Sequence, residues 1–261
     1  MKIMLVGDVV GSPGRQFFRK QVPSLKKKYG IDLVIVNGEN AAHGKGMTYD
    51  TLQELYGGGA DIITSGNHIW DKKEVLEFID REPFLLRPAN YPSAAPGHGY
   101  CVYPFKSKNI GVFNLSGRTF MPPLDCPFQK AEDILPILQK DCDIILLDFH
   151  AEATSEKVAM GWYLDGKVQV VFGTHTHIQT ADERILPQGT AYITDLGMVG
   201  AKNSILGVKP DLILQKFTQC LPVRFELANG PAVFSAATVD IDDSSNKALS
   251  IERILIYEND R

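Results

Sequence analysis

Short apolar, β-branched runs that alternate with helix-like segments constrain this chain more than any other feature. The runs are KIMLVG (2–7), DLVIVNG (32–38), ADIITSG (60–66), DIILLDF (143–149) and VQVVFG (168–173). Each is long enough for a buried strand and too short for an ordinary helix. Between them lie helical candidates. The first opens at Ser12-Pro13, an N-cap followed by proline at the first helical position, and runs to about Lys28. The others are 48–57, 71–81, 127–140 and 153–163. This alternation predicts an α/β fold with helix-covered sheets.

Two regions follow a different pattern. Residues 99–116 (YCVYPF, KSKN, IGVFNLSG) suggest an antiparallel hairpin. The C-terminal stretch is strand-rich (RFELA, AVFSAATVDID, ALSIERILIYE), with Asn-Gly and Asp-Asp-Ser-Ser turns between. Strands at both ends of an α/β chain imply two facing sheets in a single domain spanning 1–261.

The polar residues fall at the ends of the runs. Asp8 closes the first, Glu39 and Asn40 follow the second, Asn67 and His68 the third, His150 the fourth, and His175 and His177 the fifth. Ligand sites in α/β sheets collect just beyond the carboxyl ends of strands. A lone histidine is most often structural, and a loop glutamate or asparagine alone is an even bet. Their joint placement at successive strand ends favours ligands. Carboxylate, amide oxygen and imidazole together suit Mn, Fe, Zn or Ni, and histidines at i and i+2 (HTH, 175–177) point the same way on an extended segment. A carboxylate such as Glu39 can bridge two ions that clamp an in-line displacement at phosphorus.

Charge explains why such a centre attracts phosphate. The chain carries a formal net charge of -4, so no global positive field draws in nucleic acid or an anionic membrane. Two dications, less Asp8, Glu39 and a hydroxide, leave roughly one positive charge in the cleft, a local anion trap. With 44% hydrophobic and 22% charged residues the composition is that of a globular protein. No apolar run is long enough to span a bilayer, and no secretory leader is expected from the opening KIMLVGD. Cys101, Cys126, Cys142 and Cys220 form no CxxC pair, which favours free thiols in a reducing cytoplasm.

The ordered set GDVVG (7–11), NGEN (37–40), SGNHIWD (65–71), DFHAEATSEK (148–157) and GTHTHIQTAD (173–182) resembles the calcineurin-like metallophosphoesterases, and specifically the bacterial YmdB-like subfamily. Val10 stands where the wider superfamily has the histidine of GDxH, and Glu39 replaces its bridging aspartate; both departures match the subfamily. The resemblance extends to NLSGRTFM (114–121) and TDLGMVG (194–200). It implies a four-layer αββα sandwich and two divalent or trivalent transition-metal ions, iron or manganese ahead of zinc. One ion takes Asp8, Glu39, Asn40 and His177; the other takes Glu39, Asn67, His150 and His175. Asn40 either binds or merely orients its neighbour. His68 is left as general acid. The implied reaction is hydrolysis of a small phosphodiester, a 2′,3′-cyclic nucleotide, by a metal-bridging hydroxide.

His43 and Lys45, in a glycine-rich loop, and Arg118 are candidate substrate contacts, with solvated loop positions as the plainer reading. His98 reads as structural. The segment 197–207 reads as a mobile loop or a subunit contact, and a homo-oligomer is left open. The alternatives are a phosphomonoesterase on the same scaffold and a regulatory metal-binding protein acting through a partner. A metal-dependent amidohydrolase is disfavoured, because its HxH comes early in a barrel.

Overall fold

A computed structural model describes residues 1–259. In chain order the elements are β1 (Lys2–Val6), β2 (Asp8–Val9), α1 (Gly11–Tyr29), β3 (Leu33–Asn37), α2 (Tyr49–Gly57) and β4 (Ile62–Thr64). Then come β5 (Tyr100–Phe105), β6 (Lys108–Ser116), α3 (Pro127–Asp141), β7 (Ile144–His150), α4 (Thr154–Leu164) and β8 (Val170–Thr174). The last are β9 (Arg184–Ile185), β10 (Ala191–Ile193), β11 (Met198–Ala201), α5 (Pro210–Gln219), β12 (Ala232–Ile241) and β13 (Ala248–Tyr257).

The strands form two sheets. The first runs β2-β11-β12-β1-β3-β4, with β13 also paired to β12; the second runs β5-β6-β7-β8-β10-β9. β1, β3 and β4 are parallel, as are β6, β7, β8 and β10, while β12 lies antiparallel to β1. Because side chains alternate along a strand, each apolar run serves two cores. Ile3, Leu5, Leu33, Ile35 and Ile62 of the first sheet meet Ile110, Val112, Ile144, Leu146, Val170 and Phe172 of the second. The opposite face of the first sheet (Met4, Val6, Val34, Val36) packs on Phe17, Phe18 and Val22 of α1 and Leu52 and Leu55 of α2. The opposite face of the second (Ile145, Leu147, Phe149, Val171) packs on Ile134, Leu135 and Leu138 of α3 and Met160 of α4. The layers are therefore helix, sheet, sheet, helix, the expected αββα sandwich. No helix among the described residues is long and apolar enough to cross a membrane, and the four cysteines are free.

Several local expectations differ from the structure. α1 begins at Gly11, one residue before Ser12; its N-cap is Val10, with no side-chain cap bond. The Gly11 amide is held by the Asn40 carbonyl at 2.9 Å, and Ser12 Oγ instead accepts from Gln16 Nε2. The segment 71–81 is not an α-helix but two 3-10 turns, Lys73–Glu77 and Ile79–Arg81. They break at Phe78 (φ -130°), whose ring packs edge-on against Tyr49 while Val75 and Ile79 enter the core. RFELA forms no named strand; Leu227 makes an isolated bridge to Val208. The amphipathic α5 escaped the sequence reading although proline opens it. The first part of 197–207 is not free loop, because it carries β11, which pairs in parallel with β2 at Met198–Asp8 and so holds Asp8 in the sheet.

Candidate metal centre

The strand ends converge. Asp8 lies on β2, Glu39 and Asn40 just beyond β3, Asn67 beyond β4, His150 at the end of β7, and His175 and His177 beyond β8. His150 Nε2 lies 3.1 Å from Glu39 Oε1, 3.1 Å from Asn67 Oδ1 and 3.0 Å from His175 Nδ1. Glu39, His150 and His175 offer ligand atoms that all lie within 4.8 Å of one another. Beside this group, Asn40 Nδ2 is 3.1 Å from the same Glu39 Oε1 and 3.2 Å from His177 Nε2, and His177 Nε2 is 3.8 Å from Asp8 Oδ1. The two groups share Glu39, so the structure brings Asp8, Glu39, Asn40, Asn67, His150, His175 and His177 together.

Three features fit a metal. Asp8 Oδ1 is buried without a hydrogen-bond partner among the described residues, which is costly unless a cation faces it. The donor set is mixed carboxylate, amide and imidazole, as intermediate divalent ions prefer. Each histidine also has its second ring nitrogen occupied, which fixes the nitrogen left for a ligand role. His150 Nδ1 meets Thr174 Oγ1 at 2.9 Å, His175 Nε2 meets Glu152 Oε2 at 3.0 Å, and His177 Nδ1 meets the Leu206 carbonyl at 3.1 Å.

The electrostatics follow from packing charges out of water. Burial pushes Asp8 well above the usual carboxylate range, and the His150 charge offsets this only in part. Burial acts the same way on Glu39, but the His150 charge and hydrogen bond outweigh it and hold Glu39 down to about 2. Burial works against the His150 charge, yet Glu39, Asp8 and Asp148 together raise it to about 9. Burial and the neighbouring His150 bring His175 down to about 3. Burial likewise lowers His177, so both histidines of the HTH turn favour their neutral, ligating form.

Glycines permit the convergence. A Cβ on Gly66 would overlap the His150 imidazole, and one on Gly7 would overlap the Gly197 carbonyl. His175 and His177 adopt positive φ (96° and 64°) despite their side chains. The turn between them is anchored from behind. Asp195 Oδ2 accepts from Thr176 N (3.2 Å) and Thr176 Oγ1 (2.7 Å) and pairs with the buried Lys157 ammonium.

His68 stands at the rim. Its amide donates to Glu39 Oε2 at 3.0 Å, and its Nδ1 meets Asp71 Oδ2 at 3.0 Å. His43 and Lys45 are exposed, and among the described residues they make no hydrogen bond or ion pair with these side chains. The Arg118 amide donates to Glu156, and its guanidinium donates to Cys126 Sγ at 3.4 Å; among the described residues it makes no hydrogen bond or ion pair with the cluster side chains. His98 is exposed; its ring meets the Asp80 carbonyl at 3.3 Å, and its own carbonyl accepts from the Arg87 amide at 2.9 Å, which fits the structural reading. The sequence reading missed Asp148, Thr174, Asp195 and Lys157. Asp148 had a signal, a charged residue inside an apolar run and on the same strand face as His150.

A curated Bacillus subtilis relative, named 2′,3′-cyclic-nucleotide 2′-phosphodiesterase, is 54% identical over 99% of this chain and 98% of its own. A solved Mycoplasma pneumoniae structure described as a novel phosphatase superposes with TM-score 0.94 at 37% identity, covering 100% of this chain and 94% of that one. A Thermus thermophilus structure, described as a hypothetical protein, gives 0.93 at 37% identity over 99% of this chain and 100% of that one. The YmdB-like protein family matches residues 4–254, nearly the whole sandwich and every strand end that builds the cluster, and the chain belongs to that family.

Proposed function

We propose that this protein is a metal-dependent phosphodiesterase acting on small phosphodiesters, with 2′,3′-cyclic nucleotides as the substrate class. The observation that carries the reading is Glu39 Oε1, a common corner of two donor groups that converge from different sheets. The name of the 54% identical relative supports the substrate class. Asp8, Glu39, Asn40 and His177 would hold one ion, and Glu39, Asn67, His150 and His175 a second; the donor set suits Mn, Fe, Zn or Ni, and the family resemblance favours iron or manganese. When bound, the ions supply Lewis acidity toward phosphoryl oxygens and acidify a water for in-line attack.

The remaining work falls to the protein. Asp71 fixes the His68 Nδ1 proton, which leaves Nε2 to protonate the departing ribose oxygen. Because the His68 amide is tied to Glu39, the acid keeps its place relative to the ligand cluster. The chain is acidic and has no basic stripe, so a compact monoanionic diester suits it better than a long RNA.

The test is a panel of 2′,3′-cyclic nucleotides, 3′,5′-cyclic nucleotides, nucleotide monoesters and a single-stranded RNA oligomer, each with saturating Mn²⁺. The 2′,3′-cyclic nucleotides should give the highest kcat/KM, with weak base preference, and Asp8→Ala should abolish turnover. Far higher kcat/KM on monoesters or on the oligomer would overturn the substrate assignment. Full activity in Asp8→Ala would overturn the metal-dependent mechanism.

A further inference from the structure

The interface between the two sheets changes character at its last step. Along β3 the inward residues run Leu33, Ile35, Asn37, and along β4 they run Ile62, Thr64. Along β7 they run Ile144, Leu146, Asp148, and along β8 they run Val170, Phe172, Thr174. Four strands thus end their apolar stripes in a polar layer, and Asn37, Thr64, Asp148 and Thr174 are all fully buried.

Asp148 is the hub. Its Oδ1 accepts from Thr174 Oγ1 at 2.7 Å, and its Oδ2 accepts from Asn37 Nδ2 at 3.1 Å and from Thr64 Oγ1. Asn37 and Thr64 belong to the first sheet, Asp148 and Thr174 to the second, so the carboxylate bonds across the sandwich. The layer also touches the metal cluster at two points. Thr174 Oγ1 receives the His150 Nδ1 proton at 2.9 Å, and Asn37 Oδ1 accepts the Glu39 amide at 3.1 Å. A continuous path, Glu39–Asn37–Asp148–Thr174–His150, closes beneath the direct Glu39–His150 contact.

We propose that Asp148, acting through Thr174 and Asn37, is the positioning residue that sets His150 against Glu39 across the two sheets. The physical reason is that the donor set is split. Asp8, Glu39, Asn40 and Asn67 come from the first sheet and the three histidines from the second. Apolar packing alone tolerates small sliding, whereas a buried carboxylate with three directed donors does not. The hydroxyl of Thr174 has one proton to give, which goes to Asp148, so toward His150 it can only accept. That fixes Nδ1–H and turns the Nε2 lone pair toward Glu39, Asn67 and His175.

The inference rests on the metal-centre reading above. The test is calorimetric titration of Mn²⁺ into chelator-stripped wild type, Thr174→Val, Thr174→Ser and Asp148→Asn, with melting curves in chelator. Thr174→Val keeps the volume but removes the relay, and should weaken Mn²⁺ binding about 10–100-fold, the usual range for such outer partners. Thr174→Ser restores the hydroxyl and should bind within a few-fold of wild type. A purely structural role would lower both melting temperatures without separating the two affinities. Wild-type affinity in Thr174→Val, or a Thr174→Ser as weak as Thr174→Val, overturns the proposal. If Thr174→Val does not fold, Asp148→Asn decides, since it keeps the shape but turns one acceptor into a donor facing Asn37 and Thr64. Unchanged Mn²⁺ affinity there overturns the positioning role. A wild type that takes up no Mn²⁺ overturns the metal reading, and this inference with it.

Discussion

Glu39 and His150 meet at 3.1 Å, carboxylate to imidazole, although β3 and β7, which carry the chain to them, belong to different sheets. Both side chains are essentially inaccessible to water, at 1% and 0% exposure. A buried pair of this kind is costly to break from one side, because the survivor keeps its desolvation penalty. The contact therefore links sandwich assembly to the donor set of the candidate metal centre, and four predictions follow from its neighbourhood.

Glu39→Gln should lower metal content and turnover together, since the residue belongs to both donor groups. It should also destabilise the chelator-treated protein, because Glu39 is buried against His150 and accepts from Asn40 and His68. A melting shift of several degrees is expected, at roughly 2–4 °C per kcal/mol for a domain of this size. Elemental analysis with differential scanning calorimetry checks both; full metal content and full rate would refute the shared role.

His68→Ala should leave metal content near wild type and reduce turnover by roughly 10²–10⁴-fold, the usual contribution of a general acid. The loss should shrink on a nitrophenyl diester, whose leaving group needs little protonation. Equal losses on good and poor leaving groups would assign His68 to substrate positioning instead.

Mn²⁺ affinity of the stripped protein should rise with pH. His150 is held up to about 9 and must give up a proton to bind an ion, so binding releases that proton. Affinity should climb about tenfold per pH unit for one proton and flatten near pH 9. Stability of the metal-free fold runs the other way. The raised His150 contributes fully below its unfolded value of 6.5, and that contribution is lost as pH rises through about 9. The depressed Glu39 contributes above 4.5 and loses its contribution as pH falls through about 2. Calorimetry between neutrality and the alkaline limb, in buffers of different ionisation enthalpy, counts the released protons; a flat affinity would contradict the His150 shift.

Asp195→Ala should destabilise the protein by about 3–5 kcal/mol, the cost of leaving a buried charge unpaired. Its partner Lys157 is 2% exposed, and Asp195 also anchors Thr176 between the two histidines of the HTH turn. Metal affinity should fall alongside stability, because His175 and His177 hold positive φ only while that turn is pinned. Denaturant melts with and without Mn²⁺ measure both; a variant as stable as wild type would show that the Lys157–Asp195 pair contributes nothing.

The residues that the structure gathers at the strand ends were legible in the chain because each is set by local order. A buried strand is a short β-branched run, and the first polar residue past its end lies at the sheet's carboxyl edge, so Asp8, Glu39, Asn67, His150, His175 and His177 could be named without coordinates. Periodicity failed where local preference was weak or outvoted. The 71–81 segment gave way to the packing of Phe78 against Tyr49, and the four residues of β11 acquired strand geometry from β2 and β12. His43, Lys45 and Arg118 had suitable chemistry, but nothing local states which way a loop side chain faces. Asp148 and Thr174 were visible as polar breaks in apolar runs, yet their partners Asn37 and Thr64 stand 111 and 84 residues from Asp148 along the chain. Which strand end faces which depends on how two separately formed sheets stack. Only long-range packing decides that, and it brings Glu39 to His150.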